Sequence, residues 1–183
     1  MTAPSQRGSD YYSKSLSGKR LQRCYDIAPP RVRQYLTAEI DYTLGHLASD
    51  ATVLELGCGY GRVLRPIAER VTRILGIDTS HDSLQLAREY LTGLTNVRLI
   101  CSNAVRMSLR DESVDVVVGI QNGISAFGVD PIALVCESVR VTRPGGRIII
   151  STYSERFWPH RLEWFKRQAN AELIGPIDWE QTQ

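Results

Sequence analysis

One acid and three glycines stand close together in Val53–Leu64, VLELGCGYGRVL: Glu55, Gly57, Gly59 and Gly61. Glycine behind an apolar run strips side chains from a loop, so a ligand can approach the main chain and the N–H groups of a following helix. A dinucleotide loop reads G-x-G-x-x-G, which would put its third glycine at position 62; that residue is Arg62. Glu55 would also repel a pyrophosphate and attract a cation. The chemistry this stretch is suited to is therefore binding of a ligand with a positive end.

Regular elements must hold such a loop. ATVLEL precedes it as an apolar strand, and GRVLRPIAER follows as a helix. TRILGID, NVRLIC, SVDVVVGI and RIIIST read as four further strands, the fourth of the five apolar enough to be buried on both faces. SHDSLQLAREYL is a helix capped by Thr79 or Ser80, and DPIALVCESVRVT opens on a capping Asp-Pro. RPGG is expected to be a tight turn into the last strand. Val32, Tyr35, Leu36, Ile40, Leu44 and Leu47 recur at helical spacing from Pro30 onward. SERFWPHRLEWFKRQANAEL is a helical region, with an interruption expected near Pro159. Alternation of this kind predicts an α/β fold: a Rossmann-like, doubly wound, mostly parallel sheet with helices on both faces. Ligands bind such sheets beyond the carboxyl ends of the strands, where strand order reverses. The loops to watch are 57–61, 78–80, 102–104, 120–123 and 152–160.

Composition narrows the classes. With 183 residues, 43% hydrophobic and 23% charged, the chain suits one globular domain with a substantial core. A net charge of +2 without a basic stripe argues against a dedicated nucleic-acid surface. Apolar runs fall far short of the ~20 residues needed to cross a bilayer, and MTAPSQRGSD lacks the apolar centre of a secretory signal. Cys24, Cys58, Cys101 and Cys136 are scattered with no C-x-x-C pair, which points to reduced, buried or half-buried thiols in a cytoplasmic protein and to no metal site.

VLELGCGYG, GIDTS, SVDVVVGIQN and RPGG, in this order between Ala51 and Thr152, resemble the motifs of class I S-adenosylmethionine-dependent methyltransferases. The resemblance implies S-adenosyl-L-methionine as cofactor. It places Glu55, Gly57, Cys58 and Gly59, with Gly61 behind them, around the methionine end. Asp78, beside Thr79, would take the two ribose hydroxyls. Asn103, with Ala104, would face the adenine amino group, where the family typically has aspartate; the amide carbonyl can still accept from that group. Gln121 and Asn122 would flank the sulfonium.

The acceptor side is less legible. Methyl transfer is an in-line displacement that needs alignment and exclusion of water, with a base helpful for a hydroxyl or ammonium acceptor. His160 and Tyr153, after the fifth strand, are the weak candidates for that role; His81 reads as a surface residue and His46 as structural. Residues 1–29, with Tyr11, Tyr12, Arg23 and Tyr25, are expected to form a lid or linker, and 30–183 the methyltransferase domain. A small-molecule acceptor is the expectation; a protein or RNA acceptor, or a non-catalytic cofactor-binding subunit, stays open. The family's last two strands, a β-hairpin on the fifth strand, have no counterpart after Thr152. That leaves either a fragment of a longer protein or a partner, such as a second copy, covering the apolar edge.

Overall fold

The computed structural model describes residues 16–121 and 127–177. Helices α1 (Gly18–Asp26) and α2 (Pro30–Leu44) precede β1 (Thr52–Leu56), α3 (Leu64–Ala68), β2 (Arg73–Asp78), α4 (His81–Tyr90), β3 (Val97–Cys101) and β4 (Val114–Gly119). Beyond residue 127 come α5 (Pro131–Val141), β5 (Thr142–Ile150), a 3-10 turn at Glu155–Phe157 and α6 (Trp158–Asn170). The five strands form one sheet in the order β3-β2-β1-β4-β5, and every pairing is parallel. Strand order therefore reverses between β1 and β4, and the ligand crevice belongs above their carboxyl ends.

Alternation along β1 divides the core. Val53 joins Ile74, Val116 and Val118 under α3 and α4, through Leu64, Ile67 and Leu84. Leu54 and Leu56 face the other way, with Ile77 and Val117, against Ala104, Met107 and Leu134 of α5. Helices thus cover both faces, and burying each of the Val, Leu, Ile and Met side chains among these stabilises by roughly 1.5–3 kcal/mol. A third, smaller cluster of Ala28, Val32, Leu36 and Trp164 joins α2 and α6, with Tyr25, Tyr35 and Phe157 packed against it.

Local chemistry explains most element ends. Ser80 Oγ accepts from Ser83 N and Asp130 accepts from Ile132 N, so Ser80 rather than Thr79 caps α4. Three expectations need correction. Pro159 does not interrupt a helix but lies in the first turn of α6, where its missing N–H is free of cost. The RPGG stretch is not a turn before the strand but a bulge within it: Val114 pairs with Thr142 and Val116 with Arg147, so Arg143–Gly146 loops out between them. Cys101 and Cys136 are exposed, while Cys24 and Cys58 are buried; all four are free. Both sheet edges are more open than the centre: Ile148, Ile149 and Ile150 of β5 are only half-buried, whereas β4 is almost wholly buried. Among the described residues no helix is long and apolar enough to cross a membrane.

Candidate functional site

The glycine loop leaves β1 with Cys58 N donating to Ile77 O of β2 (2.9 Å), which locks the loop to the neighbouring strand. Gly57 and Gly59 have φ of +64° and +53°, a region that side chains resist. Their bare faces are covered by other side chains. A Cβ on Gly57 would lie 2.2 Å from the Phe127 ring, and one on Gly59 would lie 3.1 Å from Leu21 of α1. A Cβ on Gly61 would meet Leu91 at 2.8 Å, so the bare face of this glycine admits helix packing. The Cys58 thiol turns inward, 2.9 Å from the Cβ position of Gly76, and burial pushes its pKa up. Cys58 can therefore meet a ligand only through its backbone.

Glu55 is buried at the end of β1, and its Oε2 has no hydrogen-bond partner. Burial pushes its pKa up to about 8; the Arg62 guanidinium pulls it down and the Asp78 carboxylate adds to the rise. Arg62, stacked over the Tyr25 ring at 4.9 Å, likewise keeps an enclosed Nη2 without a partner. An unmet carboxyl oxygen and an unmet cationic donor thus lie close enough to perturb one another. Asp78, at the end of β2, spans the loop: Oδ2 accepts from Gly59 N and Oδ1 from Ser80 N, both at 2.8 Å. Burial raises its pKa against these N–H groups. Each carboxylate oxygen retains a lone pair for a further donor.

The other anticipated residues divide. Thr79 is exposed beside Asp78. Asn103 is exposed at the end of β3, its Oδ1 accepting from Val105 N at 3.0 Å. Ala104 is core, packed under the sheet with Met107. Gln121 sits at the end of β4 with φ +62° and accepts a hydrogen bond from the Tyr25 hydroxyl at 2.9 Å. Arg23 is exposed on α1. Tyr153 stacks parallel to Phe157, whose ring also meets His160 at 5.5 Å, so both weak base candidates lie in one aromatic cluster. Burial raises the Tyr153 pKa. Tyr11, Tyr12 and Asn122 lie outside the described residues. Among the described residues no group of three His, Cys, Asp or Glu side chains is placed to hold a metal ion.

Several contributors gave no sequence signal. The helix α1 lies in the stretch expected to form a lid or linker, where no helical pattern is visible; it docks through Gly18 N donating to Ser83 Oγ (3.0 Å) and through Trp164 Nε1 donating to Cys24 O (2.8 Å). Tyr60, inside the loop motif, is buried between Tyr25 and Tyr90. Glu39 of α2 reaches the end of β4, where Gln121 N donates to it at 3.3 Å. Such contacts join residues far apart in sequence, and only the helical apolar period of α2 could have hinted at which face Glu39 occupies.

Comparison with known proteins agrees with this layout. The family described as "Methyltransferase domain" matches residues 53–146, half of the chain. The chain is 34% identical over 119 residues to a malonyl-[acyl-carrier protein] O-methyltransferase of Marinomonas sp. (strain MWYL1), covering 62% of this chain and 42% of that protein. It is 34% identical over 104 residues to a ubiquinone biosynthesis O-methyltransferase of Idiomarina loihiensis, covering 55% and 41%. The crystal structure of the PH0226 protein from Pyrococcus horikoshii OT3 superposes with a TM-score of 0.66 at 23% identity, over 86% of this chain and 68% of that one. The chain thus spans less than half the length of either curated relative. It belongs to the methyltransferase-domain family, the class I S-adenosylmethionine-dependent methyltransferases. S-adenosyl-L-methionine fits the residues present: its amino-acid end carries the cation and the carboxylate that the unpartnered atoms of Glu55 and Arg62 lack.

Proposed function

We propose that this chain transfers the methyl group of S-adenosyl-L-methionine to a small-molecule acceptor. The observation that carries this reading is the cover over the crevice. α1 lays Leu21 on Gly59 and Tyr25 on Gln121, so the carboxyl ends of β1 and β4 are roofed by the chain itself. An enclosed crevice of that kind suits a small acceptor better than a protein or RNA surface. The two O-methyltransferase relatives support the same class.

In this reading α1, within the segment 1–29, serves as the lid over the cofactor domain expected from residue 30 onward. Glu55 holds the cofactor ammonium, Arg62 its carboxylate and Asp78 the ribose hydroxyls, while Asn103 faces the adenine. The backbone of Gly57, Cys58 and Gly59 lines the methionine end, with Phe127 and Leu21 yielding as the ligand seats. When bound, the cofactor supplies an electrophilic methyl carbon; the residues of this chain orient the acceptor behind it and keep water out. Pairing of a second copy along β5 is part of this reading, and light scattering reads it as a dimer mass.

The test is calorimetric titration with S-adenosylhomocysteine, followed by assay of S-adenosylhomocysteine release on incubation with small-molecule, protein and RNA fractions. Micromolar-range binding without any methyl transfer would leave a cofactor-binding subunit. Transfer confined to the protein or RNA fraction would replace the small-molecule reading.

A further inference from the structure

Beside the cofactor crevice, a polar cluster stands at the carboxyl ends of β4 and β5. One oxygen of the Glu39 carboxylate, Oε1, gathers three donors: Tyr35 Oη at 2.8 Å, Gln121 N at 3.3 Å and the Ser151 hydroxyl. Ser151 Oγ in turn accepts from Gln121 N at 2.8 Å. The other oxygen, Oε2, is enclosed and has no partner. Gln121 repeats the pattern. Its Oε1 is satisfied by Tyr25, while its Nε2 is enclosed and unpartnered. It also holds a left-handed φ of +62°, which non-glycine residues adopt rarely and which clusters at ligand sites. A buried acceptor and a buried donor, both unmet, are costly together unless a ligand completes them.

Their chemistry selects the ligand group. An ammonium carries donors only and would leave Gln121 Nε2 unmet. A carboxylate carries acceptors only and would meet the Glu39 charge. A hydroxyl does both: its O–H donates to Glu39 Oε2, and its oxygen accepts from Gln121 Nε2. Tyr35, Tyr153 and Phe157 pack ring against ring next to this cluster, Tyr35 and Phe157 with centroids 4.5 Å apart, and supply an apolar wall.

We infer that Glu39 and Gln121 form the acceptor site, that the acceptor is a hydroxyl compound, and that Glu39 is its general base. This rests on the methyl-transfer reading above. As the hydroxyl oxygen bonds to the methyl carbon, the carbon–sulfur pair stays with sulfur and the hydroxyl proton passes to Glu39 Oε2, which later loses it to solvent. Ser151 and Tyr35 are positioning residues that hold the other carboxylate oxygen.

Phenol, benzylamine and benzoate, alike in ring and different in reacting group, are the probes. Against protein saturated with S-adenosylhomocysteine, phenol is expected to bind at least tenfold tighter than the other two. With S-adenosylmethionine, phenol is expected to be the one methylated. Glu39→Gln keeps the shape and one acceptor; it should lower kcat about 100-fold, the usual contribution of a general base, with an unchanged S-adenosylhomocysteine dissociation constant. Gln121→Asn tolerates the left-handed backbone but falls short of the ligand, and should erase the preference for phenol while the protein melts normally. Methylation of benzylamine or benzoate in preference to phenol, or a Glu39→Gln kcat within twofold of the parent, overturns this inference alone. Cofactor binding with no methylation or binding of any probe also overturns this inference alone, and the reading beneath it falls only if small-molecule fractions release no S-adenosylhomocysteine either.

Discussion

The two halves of the crevice are built on different plans. Above β1, β2 and β3 the site consists of short local features: glycines just after a strand, and Glu55, Asp78 and Asn103 at or beside strand ends. Above β4 and β5 it is assembled from α1, α2 and the strand ends, with Tyr25, Glu39, Gln121 and Ser151 meeting from four separate segments. The first half binds through backbone geometry, which tolerates few residue types. The second presents side chains that reach across the fold, which many residue types could do. On the reading proposed above, one plan suits a common cofactor and the other leaves room for the acceptor to vary.

The largest effect is expected where backbone geometry is most exacting. Gly59→Val puts a branched side chain at φ +53° and against Leu21, on the proposed approach to the methionine end. Cofactor binding should be abolished. The readout is thermal stability with and without S-adenosylhomocysteine, since a ligand at a hundredfold its Kd adds about 2.7 kcal/mol. That gain should vanish, with an unliganded melting point only modestly lower. A preserved gain on a much weaker protein would show that the loop glycines serve the strand-to-helix turn alone.

Asp78→Ala comes next, at about 2–3 kcal/mol of cofactor affinity, the value of hydrogen bonds to a charged acceptor. Because Gly59 N and Ser80 N also lose their shared partner, the unliganded protein should soften as well. Calorimetry and melting measured on the same sample separate the two losses. An unchanged dissociation constant with a lower melting point would make Asp78 a loop brace and nothing more.

These contrasts explain how far the sequence could be read. The five strands, their parallel pairing and the doubly covered sheet follow from alternating patterns a few residues long, and Glu55 and Asp78 from VLELGCGYG and GIDTS. α1 was not legible as a helix because its apolar residues are few and its N-terminal residue is Gly18, a poor helix former, so that packing on α4 and α6 makes it. Glu39 looked like one more polar residue on an amphipathic helix. Its importance arises only when β5 places Ser151 beside it, 112 residues along the chain. The bulge at Arg143–Gly146 was hidden for the same reason: it is defined by register against β4 and not by its own residues.

Glu55 gives a smaller effect that depends on pH. Its pKa of about 8 in the folded chain lies above the ordinary 4.5. The stability it contributes as a neutral acid is therefore fully present below pH ~4.5 and is lost as pH rises through about 8. Melting of Glu55→Gln should accordingly gain on the parent as pH rises over that range. The cofactor ammonium favours the ionised form, so binding releases a proton below pH 8. S-adenosylhomocysteine affinity should rise by up to about tenfold per pH unit toward pH 8 and level off above it. In Glu55→Gln that slope should disappear. A slope that survives the substitution would move the titrating group elsewhere in the crevice.

The smallest effect sharpens the local half further. Asn103 departs from the family's aspartate, and its Oδ1 already takes Val105 N at 3.0 Å. An aspartate there would keep that bond and offer a charged acceptor to the adenine amino group. A charge-assisted bond exceeds a neutral one by about 1 kcal/mol, but Asn103 is exposed, and solvent screening cuts that gain. Asn103→Asp should therefore tighten S-adenosylhomocysteine by only about twofold to fivefold, measured by calorimetry at low salt. Raising the salt should erase most of the gain, because an exposed charge is screened. The melting point without ligand should stay where it is, since the Val105 contact is retained. If the substitution weakens binding instead, the asparagine amide is donating to a ring nitrogen of the adenine, a contact that a carboxylate cannot make. Either sign locates the base; no change at all would place the adenine away from β3.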